Sequence, residues 1–187
     1  MKYYGYKDYE REVIEQDITS KDIIKKIDEA INGRAVDIII GGPPCQAYSI
    51  AGRAQSPTGM KDDYRNYLFE SFVKIVDYFK PKAFVFENVT GLQSAKNKAG
   101  QKILPMLMDS FREIGYTISF RVLNSADYGV PQRRKRIIIV GLQGNEAFEF
   151  PKPTHDEQGI VLKKYVSVKD ALSDLPPEST QKNVRLN

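Results

Sequence analysis

The stretch Val36-Asp37-Ile38-Ile39-Ile40-Gly41-Gly42-Pro43-Pro44-Cys45-Gln46 decides the reading of this chain. Its apolar run is continuous rather than alternating, the pattern of a strand buried on both faces of a parallel sheet. Two glycines end the run, and two prolines stiffen the turn that follows. The turn delivers Cys45, the single cysteine of the chain, to the strand's C-terminal end. A lone cysteine is most often a small buried hydrophobe. One held between a Pro-Pro turn and a polar loop at a strand end reads as a nucleophile, because strand ends and loops carry function.

The segments on either side of this strand alternate in type. Before it, Ser20 is placed to cap a helix whose Ile23, Ile24, Ile27 and Ile31 share one face, with Asn32-Gly33 as its stop. After it, residues 41–63 form a long loop rich in Gly, Pro, Ser and charge, a length that is uncommon without a function. The periodicity predicts a helix over 65–79, with Phe69, Phe72, Val73 and Val76 on its apolar side. Pro81 ends it, and Ala83–Phe86 is a second buried strand. A further helix over 102–114 tolerates Pro105 only near its first turn, and Gly115 closes it. Strands over 117–123 and 136–142 complete the pattern. This alternation implies an α/β fold with a mainly parallel, Rossmann-like sheet and helices on both faces. The connection 124–135 is too short for a helical crossover, so the last strand returns antiparallel.

Composition narrows the class. The 187 residues are 41% hydrophobic and 28% charged, ordinary for a globular protein. No apolar run approaches the roughly 18 residues of a membrane span, and no signal-peptide pattern opens the chain. One cysteine and one histidine, His155, cannot build a Cys/His metal centre, so no metal is expected. An unpaired cysteine fits a reducing, cytoplasmic setting. The net charge of +4 suits a nucleic-acid partner without requiring one.

Parallel strands end on a common edge, where α/β proteins bind ligands. Cys45 lies past the end of the first strand and Glu87-Asn88 past the second. Gln132-Arg133-Arg134-Lys135-Arg136 stands where the last strand starts, back at that edge. The topology thus predicts a thiol, a carboxyl and guanidiniums in one crevice. Taken singly, Glu87-Asn88 reads equally as a turn cap, and the basic run as a solvated loop.

These residues resemble the DNA cytosine-5 methyltransferases. Gly42-Pro43-Pro44-Cys45-Gln46-Ala47-Tyr48-Ser49 is similar to that family's Pro-Cys-Gln loop, Phe86-Glu87-Asn88-Val89 to its Glu-Asn-Val motif, and Gln132 to Arg136 to its Gln-x-Arg-x-Arg motif. Asp17-Ile18 resembles an S-adenosyl-L-methionine adenine contact, and Arg65 to Phe69 the helix start beside the cofactor. The resemblance implies transfer of a methyl group from S-adenosyl-L-methionine to carbon 5 of a flipped-out cytosine in double-stranded DNA, within a restriction-modification context. It implies Cys45, Glu87 and Arg134 as catalytic residues. Gln46, Ser49, Asn88, Gln132 and Arg136 would bind substrate. Asp17, Ile18, Pro44 and Leu68 would bind the cofactor.

The resemblance also has limits. The family's glycine-rich cofactor turn has no counterpart before Asp17, where Gly5 stands alone, and its target-recognition region is at most begun after residue 150. The expectation is therefore a partial catalytic core over 1–150 and a connection toward the recognition region over 151–187. The chain reads as an internal fragment or one part of a split enzyme, with an incomplete cofactor site and weak activity alone. The missing strand would leave a sheet edge open to self-association. The rival readings are a catalytically incomplete module that binds DNA or a partner chain, and an RNA cytosine methyltransferase. A cysteine hydrolase pairing Cys45 with His155 lacks an orienting residue, and a zinc deaminase lacks its second cysteine.

Overall fold

The computed structural model describes residues 14–44, 68–97 and 99–175. The loop after Pro44 and the first turn of the helix predicted over 65–79 lie outside them. In chain order the elements are α1 (Ile23–Ile31), β1 (Ile38–Gly41), α2 (Leu68–Phe79), β2 (Ala83–Val89), α3 (Ile103–Glu113), β3 (Tyr116–Asn124), β4 (Lys135–Gln143), β5 (His155–Asp156), β6 (Lys163–Lys164) and α4 (Val168–Ala171). Short 3-10 turns follow β2 (Thr90–Gln93) and β3 (Ser125–Tyr128). The chain divides into two compact units, one of residues 1–121 and 137–149, the other of 122–136 and 150–187.

The main sheet has the order β1-β2-β4-β3, mostly parallel with an antiparallel component. β1 and β2 run parallel, with Ile39 opposite Phe84 and Gly41 opposite Phe86. Alternation along β2 puts Phe84, Phe86 and Asn88 on its buried face. α2 and α3 both pack there. Phe72 of α2 meets Phe84 and Phe86 edge-on at 6.1 and 5.3 Å, and Phe111 of α3 lies 4.2 Å from Phe84. Aromatic pairs of this kind contribute about 0.5–1.5 kcal/mol each beyond the area they bury. Tyr116 closes the cluster, 5.2 Å from Phe84, and its hydroxyl donates to the Pro81 carbonyl at 2.7 Å. Burial raises the Tyr116 pKa, which keeps that hydroxyl a donor.

Three local expectations change. The α1 cap position is Asp22 rather than Ser20, whose hydroxyl bonds the Asp22 carboxylate instead. β1 is not buried on both faces: Ile38 is 58% and Ile40 75% exposed. Their partners in register, Ala83 and Val85, share the face of β2 opposite to the one α2 covers. β2 runs on to Val89, so Glu87 and Asn88 belong to the strand rather than to the loop after it, and alternation turns them to opposite faces. The predicted stop of α1 holds, with Asn32 left-handed at φ 52° and its N–H bonded to the Asp28 and Glu29 carbonyls. Among the described residues no helix is long and apolar enough to cross a membrane.

Candidate active site

Cys45, Gln46 and Ser49 lie outside the described residues, but the turn that leads to Cys45 is placed up to Pro44. Parallel pairing carries Gly41 past Phe86 and so sets Gly42 beside Glu87. The approach is close. A Cβ at Gly42 would stand 2.9 Å from Glu87 Oε2, and one at Gly41 would stand 2.5 Å from the Phe72 ring. Gly41 therefore needs the residue without a Cβ, whereas at Gly42 a Cβ would displace the end of the Glu87 side chain.

Asn88 fixes the turn from the buried face. Its side chain is 3% exposed, and Nδ2 donates to the Pro43 carbonyl at 3.2 Å. Its Oδ1 accepts the Val89 N–H at 2.8 Å. Pro43 is itself buried. Sequence reasoning gave Asn88 to substrate. The geometry commits its amide to holding the backbone two residues before Cys45, a role that only tertiary contact reveals. Within this unit the structure thus brings together Gly42, Pro43, Pro44, Glu87 and Asn88.

The second unit carries Gln132, Arg134 and Arg136. Ser125, at the start of the 3-10 turn after β3, closes this loop. Its N–H donates to the Arg134 carbonyl at 3.0 Å and its hydroxyl to the Gln132 carbonyl at 2.7 Å. The three arginines of the motif have different settings. Arg133 pairs with Glu157 at 2.6 Å and lies 5.6 Å from the centre of the Tyr165 ring. Arg136 is partly buried, and its guanidinium donates to the Lys135 carbonyl at 2.9 Å. Arg134 is exposed and, among the described residues, its guanidinium has no partner. An exposed, unspent guanidinium is the one available to an outside ligand. A cavity of about 290 Å³ lies beside Gln132 and Arg133, walled by Tyr165 and Val166.

The residues expected to hold the cofactor are dispersed in character. Ile18 lines a cavity of about 220 Å³ with Ile23 and Ile24 of the first helix and Ser71, Lys74 and Ile75 of α2. That is below the roughly 300–1,000 Å³ of whole-ligand pockets. Asp17 accepts the Thr19 N–H and hydroxyl, both at 2.8 Å. The N–H bond chiefly, then the hydroxyl, lowers its pKa and keeps it an anionic acceptor. An ionised carboxylate next to Ile18 is chemically compatible with a heterocycle bearing an amino group. Pro44 is exposed, whereas Leu68 is 7% exposed within the core. Among the described residues no group of three or more His, Cys, Asp or Glu side chains could hold a metal ion.

The chain is similar to known proteins along most of its length. The chain is 44% identical over 150 residues to the type II methyltransferase M.Bpa9945I of Bacillus paralicheniformis, covering 76% of this chain and 33% of that protein. It is 42% identical over 180 residues to the type II methyltransferase M.AquIA of Picosynechococcus, covering 88% and 71%. The chain thus spans about a third of the length of the first relative. The crystal structure of a DNA modification methyltransferase encoded within an E. coli prophage matches at a TM-score of 0.60 and 27% identity, covering 87% of this chain and 42% of that one. A methyltransferase from Entamoeba histolytica shares the fold at a TM-score of 0.54 and 18% identity. The profile of the C-5 cytosine-specific DNA methylases matches residues 3–187, and with a glycine turn, a Glu-Asn strand end and an arginine loop built as described, the chain belongs to that family.

Proposed function

We propose that this chain carries the catalytic chemistry of an enzyme that methylates carbon 5 of cytosine in double-stranded DNA, as part of a longer or split methyltransferase. Residues 1–150 form its catalytic core, and 151–187 connect it to a target-recognition region. The observation that carries the reading is the pinned turn: Asn88 holds Pro43, and Gly42 abuts Glu87, immediately before Cys45.

The Cys45 thiolate adds to carbon 6 of the base, and the displaced electron pair makes carbon 5 nucleophilic. Glu87 gives a proton to ring N3 as this happens, so the adduct stays uncharged. The Arg134 guanidinium stabilises the carbonyl side of the ring. When bound, S-adenosyl-L-methionine supplies the methyl group that carbon 5 receives. Asp17 and Ile18 hold its adenine end. A base then takes the carbon 5 proton, the carbon–sulfur bond breaks, and Cys45 leaves as thiolate while N3 returns its proton to Glu87. A stacked base cannot reach these groups, so the cytosine is flipped out of the duplex. Gln46, Ser49, Gln132 and Arg136 contact the flipped nucleotide and its phosphates. The type II names of the relatives support a restriction-modification setting, and hence the cytoplasm, where the DNA is.

The test uses duplex DNA carrying a cytosine analogue that stays bonded to the thiol without methyl transfer, read by intact mass. An adduct that Cys45→Ser abolishes is the expected result. A well-folded protein that forms no adduct would overturn the proposal.

A further inference from the structure

We propose that Tyr165 and Asp127 are positioning residues that brace the Gln132–Arg136 loop, so that the segment after residue 150 sets the geometry with which Arg134 meets the base. The proposal rests on the reading above that Arg134 acts on the substrate.

The brace is a continuous series of bonds within one unit. The Tyr165 hydroxyl donates to Asp127 Oδ1 at 2.5 Å, and Asn124 Nδ2 donates to the same oxygen at 2.9 Å. The Thr154 N–H donates to the Asp127 carbonyl at 2.9 Å, and the Tyr128 hydroxyl to the Pro151 carbonyl at 3.1 Å. The C-terminal half of the 3-10 turn Ser125–Tyr128 is therefore tied to the later segment. The same turn holds the arginine loop through Ser125, which bonds the backbone of both Gln132 and Arg134. A shift of Tyr165 is thus transmitted by two hydrogen-bonded steps to the carbonyl of Arg134.

A second strap acts from the other side. Arg133 sits between Gln132 and Arg134, and its guanidinium is drawn away to Glu157 and over the Tyr165 ring. Holding the Arg133 side chain at two points restrains the backbone on which Arg134 sits. Arg134 is the arginine of the motif left exposed and unpartnered among the described residues. The exposed Arg133–Glu157 pair is weak by itself. Its worth here is directional, because Tyr165 serves both straps, by its hydroxyl to Asp127 and by its ring to Arg133. A loop whose carbonyls are fixed and whose middle side chain is pulled aside presents Arg134 with little freedom left to lose on binding.

The experiment compares Tyr165→Phe, Asp127→Ala and Asp127→Asn by hydrogen exchange of peptides spanning 125–136 and, within the longer or split enzyme to which the chain contributes, by steady-state methyl transfer to duplex DNA. Tyr165→Phe keeps the ring and removes the hydroxyl, and Asp127→Asn keeps an acceptor oxygen. Exchange over 125–136 should rise about tenfold in Tyr165→Phe and Asp127→Ala, with β2 peptides unchanged. The value of kcat should fall about tenfold in both, with KM for S-adenosyl-L-methionine unmoved, and Asp127→Asn should restore most of it. Unchanged exchange overturns the brace. Faster exchange with an unchanged kcat overturns the positioning role. Arg134→Ala is the control for the reading beneath: full turnover in that variant removes Arg134 from the chemistry and the kinetic half of the proposal with it, while the exchange data still decide whether the loop is braced.

Discussion

Gly41 and Gly42 are adjacent and chemically identical, yet the fold asks different things of them. A methyl group at Gly41 would enter the Phe72 ring inside the core, where nothing gives way cheaply. A methyl group at Gly42 would meet the far end of the Glu87 side chain, which can swing aside. Gly41→Ala should therefore cost about 1–3 kcal/mol of stability, the usual range for overpacking, read as a lower urea midpoint. Gly42→Ala should leave the midpoint nearly unchanged and slow the Cys45 adduct by about tenfold, since a displaced carboxyl loses its place at the base. Equal stability losses in the two variants would contradict this division. From sequence the pair was legible only as a turn. Which neighbour each glycine meets depends on the β1–β2 register and on where α2 lies.

At the scale of elements, β1 and β2 divide what was readable from what was not. Apolar composition marked both as strands, and Pro81 marked the end of the helix before β2. The strand's extension through Val89 was missed because Glu87 and Asn88 are poor strand formers taken alone. Neighbouring strands overrode that preference, and the single side-chain alternation that results sends Glu87 and Asn88 to opposite faces. β1 shows the converse. Its run of isoleucines reads as doubly buried, but in the described residues Ile38 and Ile40 stay exposed beside the sheet's outer edge. Apolar side chains next to unpaired strand backbone favour association of copies. Sedimentation velocity should show self-association of this chain that rises with concentration, and Ile40→Lys should shift it toward monomer. A monomeric wild-type chain at the highest concentrations would remove the expectation.

At the scale of the whole molecule, the chain of 187 residues spans 33% of one of the two relatives named above and 71% of the other. On the function proposed above, the chain alone should give weak or no methyl transfer, because the residues fitted to the cofactor reach only its adenine end. Radiolabelled methyl incorporation measures this, and robust turnover by the purified chain would contradict it. Within the molecule the division into two units follows contacts rather than chain order. Residues 122–136, with the end of β3 and the start of β4, group with 150–187 and not with the rest of those strands. By itself the sequence determined the α/β class, the family and the identity of the chemical groups, since strand periodicity, turn residues and short motifs are local properties. The tertiary structure alone decided that Asn88 holds Pro43, that Gly42 lies against Glu87, and that the Tyr165 hydroxyl finds Asp127. Those contacts join residues 38 to 45 positions apart, and no local pattern encodes which distant partner a buried amide or hydroxyl will find.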